Sequence, residues 1–480
     1  MNPGWPTCRR GDPSSPCPGV RVGQGDACWA HLNAGELEAA LDRVSPTDDL
    51  NLRGTEVLPD LLLLILNRMR VSGAGQARVG SALCECASFP DGAPFEETIF
   101  LRDANFSGAA FGGIATFTDA EFGGSARFDD SKFEVARFGG TRFGGDVSFV
   151  NANVMTELRL ESARIARSLT LDGMRAAGPV DVRANATTAS CTRGVFSGRV
   201  TLRLAGSQLC LTDSVFEQSA RVESSAGTDD GYVSVLSLRG VDAEHLTLAN
   251  ADLKHCLIYG LRRPEQLRLA GHITFTPTPR GWHLRWGWLP WRWTNRNALY
   301  EEHLWRQRSG RFAAIWTGID PAGGANETAP VPGPALLAVL YRQLRQAVED
   351  ARNEPGAADL YYGEMEMRRI STDRWDERLL LTLYWLVSGY GLRASRSLFL
   401  LAALVLLAAV GMQRAGFPGT THRYADCVLY ASGSVLSLDL TGHLGTVLTD
   451  WGQVIRITLR VCGPLLLGLG ALAVRGRIKR

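Results

Sequence analysis

The residues best equipped for chemistry stand near the start of the chain. Cys8, Cys17, Cys28 and His31 fall within "TCRRGDPSSPCPGVRVGQGDACWAH". Three thiolates and an imidazole make a closed tetrahedral shell for zinc, and "CWAH" sets the last two donors close together. The surrounding segment has little apolar content, so metal coordination would have to supply its folding energy. The gaps of eight and ten residues between the cysteines fit no strict zinc spacing. The alternative is a set of unliganded thiols in a tail.

Other reactive side chains carry blander readings. Cys84 and Cys86 are too close together to complete a chelate alone, and Cys191, Cys210 and Cys256 read as small apolar residues of a core. The stretch 280–296 interleaves tryptophans with Arg285, Arg292 and Arg296. It suits a membrane surface, a single-stranded nucleic acid or burial over an open end of the fold. "GLGALA" at 468–473 imitates a dinucleotide fingerprint but has no strand before it, and no P-loop, H-E-x-x-H or G-x-S-x-G occurs. The expectation is a protein without catalytic activity.

Bulk properties narrow the classes further. With 480 residues and a net charge of +2, the chain has room for several domains and no electrostatic case for nucleic acid. Only Lys132, Lys254 and Lys479 of its 51 basic residues are lysine, a bias expected of a GC-rich bacterial genome. The first thirty residues lack an apolar run, so a cytoplasmic start with reduced cysteines is expected.

The elements that must position these groups announce themselves by periodicity. Residues 35–48 and 57–70 read as short helices, the second with Pro59 and Asp60 in its first turn. It is too apolar to lie in water, and an open end of the repeats would cover it. Large apolar residues then recur at Phe95, Phe100, Phe106, Phe111, Phe117, Phe122, Phe128, Phe133, Phe138, Phe143 and Phe149. From Phe117 to Phe138 an alanine or serine stands two positions before each. Spacings of five and six match neither strand nor helix, so the chain must turn a corner once per repeat. After residue 155 aliphatic pairs take over, among them Leu158/Leu160, Leu169/Leu171, Val180/Val182 and Val200/Leu202.

This pattern resembles the pentapeptide-repeat family, whose motif is roughly A(D/N)LXX with phenylalanine often in place of leucine. The resemblance implies a right-handed quadrilateral β-helix over 91–275. The large residue and the small one two before it would face inward, and the other three positions would be free to be polar. Membrane-bound actinobacterial relatives are similar in their C-terminal part and in a Cys-rich start. Some resemble a potassium-channel module with a pore loop between two helices. Here "DCVLYASGSVLSLDL" (426–440) offers only Gly433 against a T-x-G-Y-G filter.

The remainder divides into a Trp-rich connector (276–333), helices over 334–392, where Asp373 is expected to cap the last, and an apolar hairpin (393–480). The hairpin holds "LFLLAALVLLAAVGM" (398–412) and "VIRITLRVCGPLLLGLGALAV" (454–474), each near the length that spans a bilayer. Arginines 368, 369, 374, 378, 393 and 396 precede it and "RGRIKR" ends it, so both termini are expected in the cytoplasm of a multi-pass protein. Arg456 and Arg460, inside the second stretch, need Asp450 as partner or a shallow position. Residues 1–34 form the Cys/His segment and 35–90 a helical cap. The expected whole is a membrane-anchored scaffold without catalytic activity. The alternative is a channel-like or mechanosensitive protein. Its partners would be the lipid bilayer, an unidentified protein and a second copy of itself.

Overall fold

The computed structural model describes residues 4–10, 16–71, 75–224, 231–279, 282–285, 289–292, 295–309, 330–417, 422–436 and 448–478. Side chains in 282–292 and 474–478 lie outside that description, as does the linker over 320–329. The chain divides into two compact units, Met1–Val331 and Pro332–Arg480.

The first unit is a β-solenoid of about nine turns whose short strands pair in parallel with their counterparts one turn away. Most partners lie 20 to 22 residues apart, which is four repeats, whereas the first pair, Leu50 with Ala82, spans a helical insertion. One row runs Ala82, Ala104, Ala126, Val147 and Leu169. Pairing begins at Leu50 with Ala82 and continues to Asp252 with Thr274. The aromatic residues form four columns, one per side. Phe89 stacks on Phe111 and Phe111 on Phe133, with ring centroids 5.0 and 4.6 Å apart. Phe95, Phe117 and Phe138 form the second column, Phe100, Phe122 and Phe143 the third, and Phe106, Phe128 and Phe149 the fourth. All twelve rings are buried.

The later coils keep the same interior with different volumes. Where Ala115 precedes Phe117, the equivalent positions two turns on hold Leu158 and Leu160, then Val180 and Val182. Every one of these is buried. A small residue beside an aromatic and two aliphatics side by side fill similar space, as close packing demands. The extra residue of a six-residue repeat is absorbed as a bulge. Pairing slips between Phe133 and Val135 against both neighbouring turns.

The outward positions are less free than the repeat implies. At one corner Asn151 has φ of 56° and Gly173 above it φ of 68°. A Cβ on Gly173 would come within 2.3 Å of Asn151 Oδ1, so the amide rests on bare backbone. Aspartates also join successive turns. Asp172 Oδ1 accepts from Ser190 Oγ at 2.6 Å and Thr192 N at 2.7 Å. Asp129 does the same for Ser148 and for Val150 N.

Helices close the ends. α1 (Ala34–Leu41) starts with a capping box made by Asn33 and Glu36. α2 (Pro59–Arg68) interrupts the first turn and buries Leu62, Ile65 and Leu66. Its other face, with Leu58, Leu63 and Leu64, stays exposed, so burial is one-sided. Near the far end, strands Trp282–Arg285 and Leu289–Arg292 pair as an antiparallel hairpin. The covering or membrane-facing role of its tryptophan side chains falls outside the described residues. What visibly closes that end is α3 (Tyr300–Arg308), which packs Tyr300 and Leu304 on Leu257.

The second unit is helical. α4 (Pro334–Asp350) packs along α5 (Glu354–Ser371) through Leu337, Leu340, Tyr341, Leu344, Ala347 and Val348, while Leu336 and Ala351 are exposed. α6 (Trp375–Ser388) follows, with Arg374 rather than Asp373 at its N-cap and no side-chain cap. α7 (Ala394–Gly411) continues through a π-turn, Met412–Gly416. α8 (Tyr424–Leu436) lies between α7 and α9 (Asp450–Ile478). The stretches Ala394–Gly416 and Asp450–Ala473 are long and apolar enough to cross a membrane. No ion pair joins Asp450 to Arg456 or Arg460 among the described residues.

Candidate metal centre

The N-terminal segment doubles back on itself. Thr7 bridges Val20 in antiparallel fashion, and Cys8 N donates to Gly19 O at 2.7 Å, which brings Cys8 beside the Cys17 limb. Cys28 precedes a 3-10 turn, Trp29–His31, that returns His31 toward the same point. The fold of this limb is locked from below. Val20 N donates to Arg53 O on the first solenoid turn, and Trp5 Nε1 donates to Pro18 O. A Cβ on Gly19 would meet Cys28 Cβ at 2.9 Å and Thr55 Oγ1 at 3.0 Å, so only glycine fits.

All four donor atoms lie within 4.8 Å of one another. Cys17 Sγ is 3.7 Å from Cys28 Sγ, and His31 Nδ1 is 3.3 Å from Cys28 Sγ and 3.5 Å from Cys8 Sγ. A tetrahedron with zinc–sulfur bonds of ~2.3 Å has sulfur–sulfur edges of about 3.8 Å, and sulfur–nitrogen edges of about 3.6 Å. These three of the six edges are close to that size, and all six lie within 4.8 Å. Backbone groups also face the sulfurs: Cys28 N donates to Cys8 Sγ at 3.3 Å and Gly19 N to Cys17 Sγ at 3.4 Å. Such donors favour thiolate over thiol.

Burial first, and then the neighbouring Cys17 and Cys8, push the Cys28 thiol up to about 12. The Cys28 thiol, crowded by the two other sulfurs without a cation, therefore resists ionisation. A divalent cation at their centre reverses that balance, because its charge is the largest in the site. The donor set, its size and its polarity thus fit a bound metal. Cys8 and Cys28 are buried, Cys17 partly so, and His31 is exposed at the rim.

The other cysteines separate cleanly. Cys84 and Cys191 occupy inward positions, where burial pushes both thiols up, Cys191 to about 12. Cys256 is likewise buried with a raised thiol. Cys210 is only half-buried and faces Thr212 Oγ1 at 3.3 Å, so it is not a core residue. Cys86 is exposed at a corner with positive φ.

The chain matches the family of pentapeptide repeats (9 copies) over residues 87–132 and, in an overlapping register, over 108–153. It is a pentapeptide-repeat protein. No curated protein and no solved structure matches it. The match lies on the phenylalanine columns. The aliphatic coils continue the same solenoid where the motif has drifted.

One functional group escaped the sequence reading. Glu301, fully buried on α3, accepts from Ile258 N at 2.5 Å and Tyr259 N at 2.7 Å. One turn earlier the corresponding Leu238 N donates to Leu257 O of the following turn. At the last turn no further coil exists, and the carboxylate takes that carbonyl's place. Burial raises the Glu301 carboxyl above its ordinary range, against the pull of those two N–H groups. Beside it Glu302 holds Arg296 through both oxygens, at 2.8 and 2.7 Å, and Arg306 at 2.8 Å. No motif announces such a cap, since its meaning depends on a partner 43 residues away.

Proposed function

We propose that this pentapeptide-repeat protein is a membrane-anchored scaffold whose solenoid offers a binding surface to a protein partner and which has no catalytic activity. The observation that carries the reading is the bareness of the two apolar helices. Only 22% and 17% of their most apolar windows are buried. Phe399 and Leu407 on α7 and Ile457, Val461 and Leu465 on α9 face outward. A core helix of a soluble domain hides such side chains, and lipid is the solvent that accepts them. The arginine-rich flanks support a reading with both ends in the cytoplasm, and Arg456 lies within two turns of the start of α9, shallow enough to reach the interface. Alkaline carbonate washing of membranes tests this. The protein should stay in the pellet, and release to the supernatant overturns the anchor. A pull-down from detergent extract then tests the scaffold role.

The N-terminal segment, in the same reading, holds one structural zinc through Cys8, Cys17, Cys28 and His31. The ion would neutralise three crowded thiolates and tie the Cys8, Cys17 and Cys28 limbs together. Metal analysis of the wild type should give one equivalent of zinc, and Cys8→Ser or Cys28→Ser should lose it. Equal content in all three overturns the assignment.

A channel-like pore is the second reading, and α8 favours it. This short helix buries Cys427, Tyr430, Ala431 and Val435 between the two long helices, where a pore helix would sit. Gly433 is buried within α8 and is not part of an extended filter. Residues 437–447, which include the last four positions of the 426–440 stretch, lie outside the described residues. Ion flux into liposomes carrying the pure protein decides between the readings.

A further inference from the structure

α6 has two unlike faces. One is fully engaged: Leu381 is buried, Trp385 Nε1 donates to Tyr362 OH at 2.8 Å, and the guanidinium groups of Arg369 and Arg396 lie over the Trp385 ring. The other carries Trp375, Leu379, Leu383 and Leu386, spaced four, four and three residues apart, which is one helical stripe. Leu380 borders it. All five are exposed, Trp375 by 78% and each leucine by half or more. No described residue of this unit covers them.

The position of α6 says what does. Its C-terminal end is pinned to the first turn of α7: Arg396 Nη1 donates to Trp385 O at 3.0 Å and Ser397 Oγ to Val387 O at 3.1 Å. Between them the chain turns at Gly389 and Gly391, both with positive φ. A helix joined so tightly to the start of a span stays at the mouth of that span. Residues 366–396 hold six arginines against four carboxylates; Arg368 pairs with Glu377, Arg369 with Glu366 and Arg374 with Asp376, and the segment keeps a net charge of +2. A second copy of the same positive segment would be repelled, whereas an anionic bilayer surface attracts it.

We propose that α6 lies in the membrane–water interface as an in-plane helix. Trp375, Leu379, Leu383 and Leu386 insert among the acyl chains, and Arg374 and Arg378, both exposed near the start of α6, rest on anionic lipid headgroups. This rests on the reading of α7 as a membrane span. Amphipathic helices of this kind bury their apolar face at the headgroup boundary, with tryptophan at that depth. Here the helix would fix the depth and tilt of the span that follows.

The test uses the full chain in nanodiscs holding one copy each, made of phosphatidylcholine with and without phosphatidylglycerol. The photoreactive amino acid benzoylphenylalanine replaces Leu383, and in a second variant Leu381 of the engaged face. Irradiation should give lipid adducts at 383 and only intramolecular products at 381. Adducts with phosphatidylglycerol should exceed its share of the lipid by about fivefold, the factor for roughly one arginine–headgroup contact. Carbonate washing of the same variants reports the span separately. Protein that stays integral but yields no lipid adduct at 383 overturns the in-plane helix while leaving the anchor standing. So does an adduct to a second copy, seen only when discs hold two. Release by carbonate overturns the anchor itself.

Discussion

The two ends of the solenoid face one problem and solve it with different chemistry. Each exposes a ring of unpaired backbone groups and the open face of an apolar column. At the first turn the chain folds a polar segment over Arg53, Gly54 and Thr55, and that segment has almost no core beyond the Cys8, Cys17, Cys28 and His31 cluster. At the last turn α3 brings buried charge: Glu301 takes the N–H groups that a further coil would have taken, and Glu302 is clamped by Arg296 and Arg306. A metal bound at the first end would be lost when its supply fails, whereas the buried ion cluster needs no added group. The first end is thus the conditional one.

The largest expected effect breaks the first end alone. Structural zinc sites supply roughly 10–16 kcal/mol of apparent folding energy in small domains. Chelation should therefore open the N-terminal segment to trypsin at Arg9, Arg10 and Arg21 while the solenoid keeps its β signal in circular dichroism. An unchanged digestion pattern would mean that the docking on Arg53 and Thr55 suffices by itself. At the other end, Arg296→Ala leaves Glu302 short of a partner inside the protein. A loss of about 3–5 kcal/mol is expected, read by urea unfolding in detergent. Chelation should not change that difference.

Glu301 sharpens the comparison further. Glu301→Ala orphans two backbone donors and should cost about 1–3 kcal/mol for each, with faster hydrogen exchange confined to the last turn around Ile258 and Tyr259. Glu301→Gln keeps an oxygen for both donors and should have the smallest effect, with a pH signature. The folded carboxyl is raised above its ordinary 4.5. Its contribution is thus fully present in acid and is lost as pH rises through the raised value. Wild type should lose stability relative to Glu301→Gln between pH 4 and neutrality. A difference independent of pH would mean that the folded carboxyl titrates as it does in the unfolded chain.

Much of the solenoid could be read along the chain because its interior is written locally. Phe117 with Ala115, and Leu160 with Leu158, each declare an inward pair within three residues. The first turn escaped because α2 splits Leu50, Leu52 and Val57 from Val79, which erases the five-residue period there. Asp129 and Asp172 looked like solvated surface positions, yet they bind the next turn, and no local signal separates such an aspartate from a free one. For the metal centre, the donor types were legible and their convergence was not.

By itself the sequence determined what faces inward. A repeat of large and small residues leaves the backbone one way to bury them, and uninterrupted apolar runs select helices that water cannot cover. Tertiary structure alone decided how that column ends and what gathers there. Four potential donors spread over 24 positions, or a carboxylate 43 residues from the amides it serves, acquire meaning only when the chain has folded and left those groups facing one another. Local pattern sets the burial of each residue. Closure depends on distances between residues that no local pattern contains.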